Sequence, residues 1–209
     1  KAQAENFPFC TIDPNVGIVS VPDERLNKIS EISKSKKKIN AAVTFVDIAG
    51  LVKGASKGQG LGNQFLSHIR QMDALIHVVR AFENDDIIHV SKVISPIDDI
   101  VVVETELALS DYEQCVRVMD RTKKKSKGSP KESAAKIQLL EELIGYLSEG
   151  KMLRDISLSN GASELARDFQ LLTAKPTIFL ANVSEKSLNG NSFSKIIEDE
   201  IILVRDEVD

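Results

Sequence analysis

Asp47 and Gly50 stand three residues apart behind a short apolar run, Val43-Thr-Phe-Val46. The run has the β-branched composition of a buried strand, which puts Asp47 at the strand's carboxyl end. Ligands of open α/β sheets bind at that edge. A carboxylate there holds a hard cation, usually through water, and a glycine three residues on lets a backbone N–H approach a phosphate. Asp-x-x-Gly is therefore a spacing suited to a nucleotide hydrolase using Mg²⁺. Gly54, Gly58, Gly60 and Gly62 follow closely, more glycine than a helix or strand carries and suited to a loop that changes shape.

Three further places carry chemistry. Thr11, between Pro8 and Pro14, offers a hydroxyl upstream of Asp47 that completes an Mg²⁺ shell and senses a γ-phosphate; the plain alternative is a side-chain turn. His89 lies on the polar loop Phe82 to Val90 after a second strand, Asp73 to Arg80, and a neutral imidazole can take a proton from water near pH 7. It competes with a surface histidine on an amphipathic segment. His68 and His77, within a helix and a strand, read as packing residues. Asn182-Val-Ser-Glu185 ends a third apolar strand, Pro176 to Asn182. Guanine-reading loops use Asn-Lys-x-Asp at this edge; Val183 and Glu185 stand where the Lys and Asp would be, so a guanine contact does not follow.

The string from Ala41 to Gly62, with the helix Asn63 to Arg70 behind it, resembles the Obg-related branch of P-loop NTPases, and within it the Obg-like ATPase family. The match runs from about Asn6 to Glu185. The resemblance implies a Ras-like fold, an ATP-hydrolysing switch that engages the ribosome, and ATP in preference to GTP. It places Thr11 on the metal-binding threonine of switch I, so that Thr11 and Asp47 hold Mg²⁺. It assigns Gly50 to the γ-phosphate, Asn182, Val183 (through its backbone) and Glu185 to the base, and His89 to the attacking water. Leu51 occupies the position where Ras-like enzymes orient water with Gln, and its side chain cannot do so. The phosphate loop with its Lys and Ser/Thr is not found in this sequence, nor is a β-rich C-terminal domain. The expectation is that the intact parent is an ATPase and that the chain as written binds nucleotide poorly. An Obg-type GTPase, or a non-catalytic ribosome- or RNA-binding module with a vestigial nucleotide site, are the alternatives.

These groups need a scaffold. The 209 residues are 42% hydrophobic and 28% charged, so a packed core is expected. A net charge of −4 argues against coating nucleic acid by bulk electrostatics. Two cysteines, the lack of an apolar run of membrane length and the lack of a signal peptide lead to the expectation of a soluble, cytoplasmic protein. Alternating strands and helices predict an α/β fold, a mostly parallel sheet flanked by helices with one antiparallel edge pair. Val16 to Val21 alternates as a strand, and Pro22-Asp-Glu then opens a helix to about Ser33.

From Glu104 the apolar period changes. Leu109, Tyr112, Val116 and Met119 are matched by Ile137, Leu140, Ile144 and Leu147, either side of a break at Gly128 and Pro130. This predicts an inserted antiparallel helical hairpin, a coiled coil. The resulting division is residues 1–103, first part of the nucleotide-binding domain; 104–160, the hairpin; and 161–209, its second part. The tip Lys123–Lys131 holds five lysines in nine residues, either a solvated turn or a contact for RNA phosphates, the ribosomal large subunit being the expected partner. Ser163 is expected to cap a helix running to about Leu172. Ser192 to Asp199 reads as a helix and Ile201 to Val204 as a strand.

Overall fold

The computed structural model describes residues 15–48, 61–84, 94–125 and 130–206, with side chains described except at 61–64, 125, 130 and 200–206. Thr11, Gly50, His89 and residues 126–129 of the lysine-rich tip lie outside these residues. The chain divides into two compact units, Lys1–Gly50 and Leu51–Asp209.

In the first unit β1 (Asn15–Ser20) and β2 (Ala42–Asp47) pair antiparallel, with Asn15 opposite Asp47 and Ser20 opposite Ala42. Helix α1 (Glu24–Ser33) connects them. Its N-cap is Asp23, whose carboxylate accepts from the Arg25 amide at 2.9 Å, and it ends at Lys34 in the left-handed region at φ 48°. The boundaries agree with the local signals, Pro22 and the first-turn acid Glu24. The burial does not. Val43–Val46 was expected to be a buried strand, yet Val43 and Phe45 are 45% and 46% exposed, and Val16 and Ile18 on β1 are 61% and 72% exposed. Among the described residues of this unit, two strands and one short helix supply no second layer to cover them.

The second unit opens with α2 (Leu61–Arg70) and β3 (Leu75–Arg80). β3 pairs parallel with β4 (Thr177–Asn182), Leu75 opposite Thr177 and Arg80 opposite Asn182. Parallel strands need a long crossover. Here it contains α3 (Pro96–Lys125), α4 (Pro130–Ser148), a 3-10 turn Leu153–Asp155, α5 (Asn160–Asp168) and a 3-10 turn Leu172–Ala174. α3 starts at Pro96, eight residues before the change of period at Glu104, with proline at the first helical position and Asp98 and Asp99 in the first turn. α5 is capped by Ser159, not Ser163: the Ser159 hydroxyl accepts from the Ala162 amide and donates to Glu142.

Consecutive helices α3 and α4 pack along each other. Their core joins Ala108 and Cys115 to Leu140, Leu143 and Leu147, with Tyr112, Met119 and Ile144 against it, and Met152, Leu153, Ala162, Ala166 and Leu171 closing the base. The α4 stripe is largely the expected one, with Leu143 added. On α3 Tyr112 and Met119 pack as expected, whereas Ala108 and Cys115 enter where Leu109 and Val116 were expected. Residues 108, 112, 115 and 119 satisfy the same helical period, and the small Ala108 and Cys115 let the helices approach closely.

The β3–β4 pair is buried on one face. Val79 and Ala81 pack with Ile100 of α3 and Ile197 of α6 (Ser192–Asp206), while Ile76, Val78, Ile178 and Leu180 stay exposed. The apolar runs Asp73 to Arg80 and Pro176 to Asn182 read as buried strands; here one face is covered. The tail is also corrected. Ile201–Val204 is not a strand but the continuation of α6, because no Gly or Pro interrupts 192–206 and the apolar period of Phe193, Ile196 and Ile197 runs on.

The packing leads to a test. Leu140, wholly buried, replaced by alanine should cost about 2–5 kcal/mol. Leu109→Ala, outside the cluster, should cost distinctly less. Denaturant unfolding of both variants decides, and equal losses would reject the α3 register described above.

Candidate functional site

The carboxyl ends of β3 and β4 form one edge. Asn182, the last residue of β4, is exposed, and its carbonyl accepts from the Ala81 amide at 2.8 Å. Val183, half-buried, packs its side chain against the cluster around Val79. Glu185 opens a 3-10 turn, Glu185–Ser187, and is exposed. Asn182, Val183 and Glu185 are therefore brought to one sheet edge, with the two polar side chains in solvent.

Two residues missed by the sequence reading organise this edge. Asn191 caps α6: its Oδ1 accepts from the Ser194 amide at 2.9 Å, and its own amide donates to Ser194 Oγ at 2.8 Å. Its Nδ2 donates to the Ala81 carbonyl at 2.7 Å, so the segment after β4 is fastened to the end of β3. Asn-x-x-Ser before an apolar run was the available local signal. Arg80, at the end of β3, donates from Nε to the Phe82 carbonyl and from Nη2 to the Asn84 carbonyl, both at 3.1 Å, and lies over the Phe82 ring. It holds the start of the loop on which His89 is found in the sequence.

Asp47 closes β2 as expected and is exposed, in the first unit. Among the described residues no group of three or more His, Cys, Asp or Glu side chains gathers to hold a metal. The exposed Asp47 carboxylate at the end of a strand is a hard oxygen donor of the kind Mg²⁺ takes, one or two protein oxygens together with waters and substrate phosphates.

His77 belongs elsewhere. On β3 it lies 5.5 Å from the Phe179 ring, and Arg154 sits over the same ring, paired with Glu104. Burial, helped by the Arg154 charge, lowers the His77 pKa to about 4. Burial raises the Glu104 carboxyl against the opposing pull of Arg154. Cys115 is likewise a packing group: burial and then the Asp111 charge push its thiol up to about 12.

Residues 1–127 match the profile of a family described as 50S ribosome-binding GTPase. The chain belongs to that family. It is 50% identical over 191 residues to a protein of Escherichia coli O157:H7 named ribosome-binding ATPase YchF, covering 91% of this chain and 53% of that protein. To the protein of the same name in Bacillus subtilis (strain 168) it is 48% identical over 184 residues, 88% of this chain and 50% of the relative. A solved structure of the Schizosaccharomyces pombe YchF GTPase superposes with a TM-score of 0.74 at 38% identity, over 94% of this chain and 54% of that one. The family match and this likeness show a P-loop GTPase-like fold. The chain spans about half the length of the curated relatives it matches. The resemblance read from Asp47–Gly62 and Asn182–Glu185 thus leads to the same relatives. No helix among the described residues is long and apolar enough to cross a membrane.

The His77 environment sets a pH dependence. As pH falls the unfolded chain, near 6.5, takes up the proton before the folded one, near 4. Stability is therefore complete above about pH 6.5 and is lost as pH drops towards about 4, by at most about 3 kcal/mol. His77→Phe should remove this component. The difference between the two stability–pH curves isolates it from the carboxylates, and parallel curves would reject it.

Proposed function

We propose that the full-length protein is a nucleotide-dependent switch that binds and hydrolyses ATP with Mg²⁺ and associates with the ribosome in the cytoplasm. The observation that carries the base preference is the edge at Asn182-Val-Ser-Glu185. Glu185 reaches further than the aspartate that reads guanine, and Val183 packs its side chain against the core, with its backbone assigned to adenine. Bacterial relatives are named ATPases, which agrees, whereas the fission-yeast structure is titled a GTPase and keeps GTP as the second reading.

In this reading residues 1–103 and 161–209 build the nucleotide-binding domain, completed as a mostly parallel sheet, and residues 104–160 form an antiparallel coiled-coil hairpin. The lysines of 123–131 contact RNA phosphates on the large subunit, since a basic tip can do so without making the whole chain basic. Thr11 and Asp47 hold Mg²⁺, which when bound neutralises charge on the phosphates. Asp47 keeps the cation at the strand's end, the Gly50 amide meets the γ-phosphate, and His89 orients the attacking water and takes its proton.

Titration of the full-length protein with fluorescent ATP and GTP tests the base reading. ATP should bind more tightly, and Val183→Lys with Glu185→Asp should shift the preference towards GTP. Tighter binding of GTP by the wild type, or no shift in the double variant, would overturn it. Turnover tests the chemistry. His89→Ala should lower kcat at least about tenfold with ATP affinity kept, because a transition-state contact acts on kcat. Asp47→Asn should weaken Mg²⁺-dependent binding and turnover together. Normal hydrolysis by His89→Ala would remove His89 from the mechanism.

A further inference from the structure

Asp111 is a carboxylate with no exposed surface, set between Ala108 and Cys115 on the buried stripe of α3. Its Oδ2 accepts from the Thr173 amide and the Thr173 hydroxyl, both at 2.8 Å, and its Oδ1 accepts from Arg70 Nη1 at 3.1 Å. Arg70 is the last residue of α2. The same guanidinium donates from Nη2 to the Ser110 hydroxyl at 2.9 Å and from Nη1 to the Gln170 carbonyl at 3.2 Å. Gln170 is held in the left-handed region at φ 50°, a conformation uncommon outside glycine and asparagine. A turn later Lys175 donates to the Met72 carbonyl at 2.6 Å, just beyond the end of α2. One end of α2 is thus bolted to the base of the α3–α4 pair. Its other end, Leu61, follows directly in sequence on the glycine-rich stretch Gly50–Gly60.

A buried ion pair is poor material for stability alone, since apolar residues of similar volume often serve as well or better. What it supplies is direction: breaking one partner leaves a bare charge, so the pair fixes how α2 sits against α3. We infer that Arg70 is a positioning residue that couples the nucleotide-responsive end of α2 to the α3–α4 hairpin, so that nucleotide state alters the hairpin and hairpin engagement alters nucleotide affinity. The coupling rests on the nucleotide-switch reading above. It is reciprocal by thermodynamic necessity.

Hydrogen exchange of residues 96–148 in the full-length protein, with and without Mg-ATPγS, tests it. The wild type should change hairpin exchange about fivefold or more on binding the analogue, the lower range of allosteric couplings. Arg70→Gln with Asp111→Asn, which removes the charge from both partners, should bind the analogue as the wild type does and lose that response. Arg70→Lys, which keeps the ion pair without the fork, should recover part of it. Should the Gln/Asn pair fail to fold, Arg70→Met with Asp111→Leu keeps an apolar filling and serves the same comparison. A full hairpin response in either folded double variant overturns the coupling, as does analogue binding by the wild type with no hairpin response. Absence of analogue binding by the wild type overturns the nucleotide reading and the coupling with it. A purely structural pair would lower the melting temperature and leave the response intact.

Discussion

Burying one carboxylate governs how the larger unit is put together. Taking Asp111 wholly out of water is costly, and burial pushes its carboxyl up from the usual range. The Thr173 amide, the Arg70 charge, the Leu172 amide and the Thr173 hydroxyl pull it back. Those donors come from α2 and the turn before β4, elements far apart in sequence. Satisfying the carboxylate therefore locates α2, the base of α3–α4 and the approach to β4 against one another. The apolar cluster of Leu140, Leu143 and Leu147 supplies the bulk of the burial, but it is non-directional, and several helix rotations would bury as much.

The edge at the end of β3 and β4 follows from that placement. Lys175 ties the segment before β4 to the end of α2, and the parallel register then puts Asn182 beside Arg80. Asn191 and Arg80 use side chains on neighbouring backbone carbonyls to hold the two loops that leave the edge. At this edge the polar candidates Asn182 and Glu185 are exposed, while Val79, Ala81 and Val183 behind them pack into the core, a common division between access and rigidity.

Local chemistry was readable from the chain without its fold. Asp47 ends β2 because an apolar β-branched run stops there; α1, α3 and α4 begin where proline and first-turn acids favour helix starts. The four-residue phrase at Asn182 and the glycine-rich string led to the family, since a motif is a statement about neighbours along the chain. Even the helix pair was legible from its period, although not its register: Ala108 and Leu109, or Cys115 and Val116, fit one helical spacing equally well with Tyr112 and Met119, and only the facing helix selects between them.

Tertiary structure decided what depends on distant partners. Arg70 and Asp111 are 41 positions apart, and Asn191 and Ala81 are 110 apart, so no window of sequence holds both members. Burial was misread at Val43–Val46 and on one face of β3 and β4, because apolar composition reports what a strand could bury, not which layer reaches it. The strand expected at Ile201–Val204 failed for the converse reason: a β-branched run has a weak preference, and continuation of an established helix needs only one more hydrogen bond per residue. The sequence by itself determined the element types other than at Ile201–Val204, the family and the candidate chemistry. The tertiary structure determined the helix register, the buried carboxylate and its partners, since these are set by long-range contacts that compensate the loss of solvent.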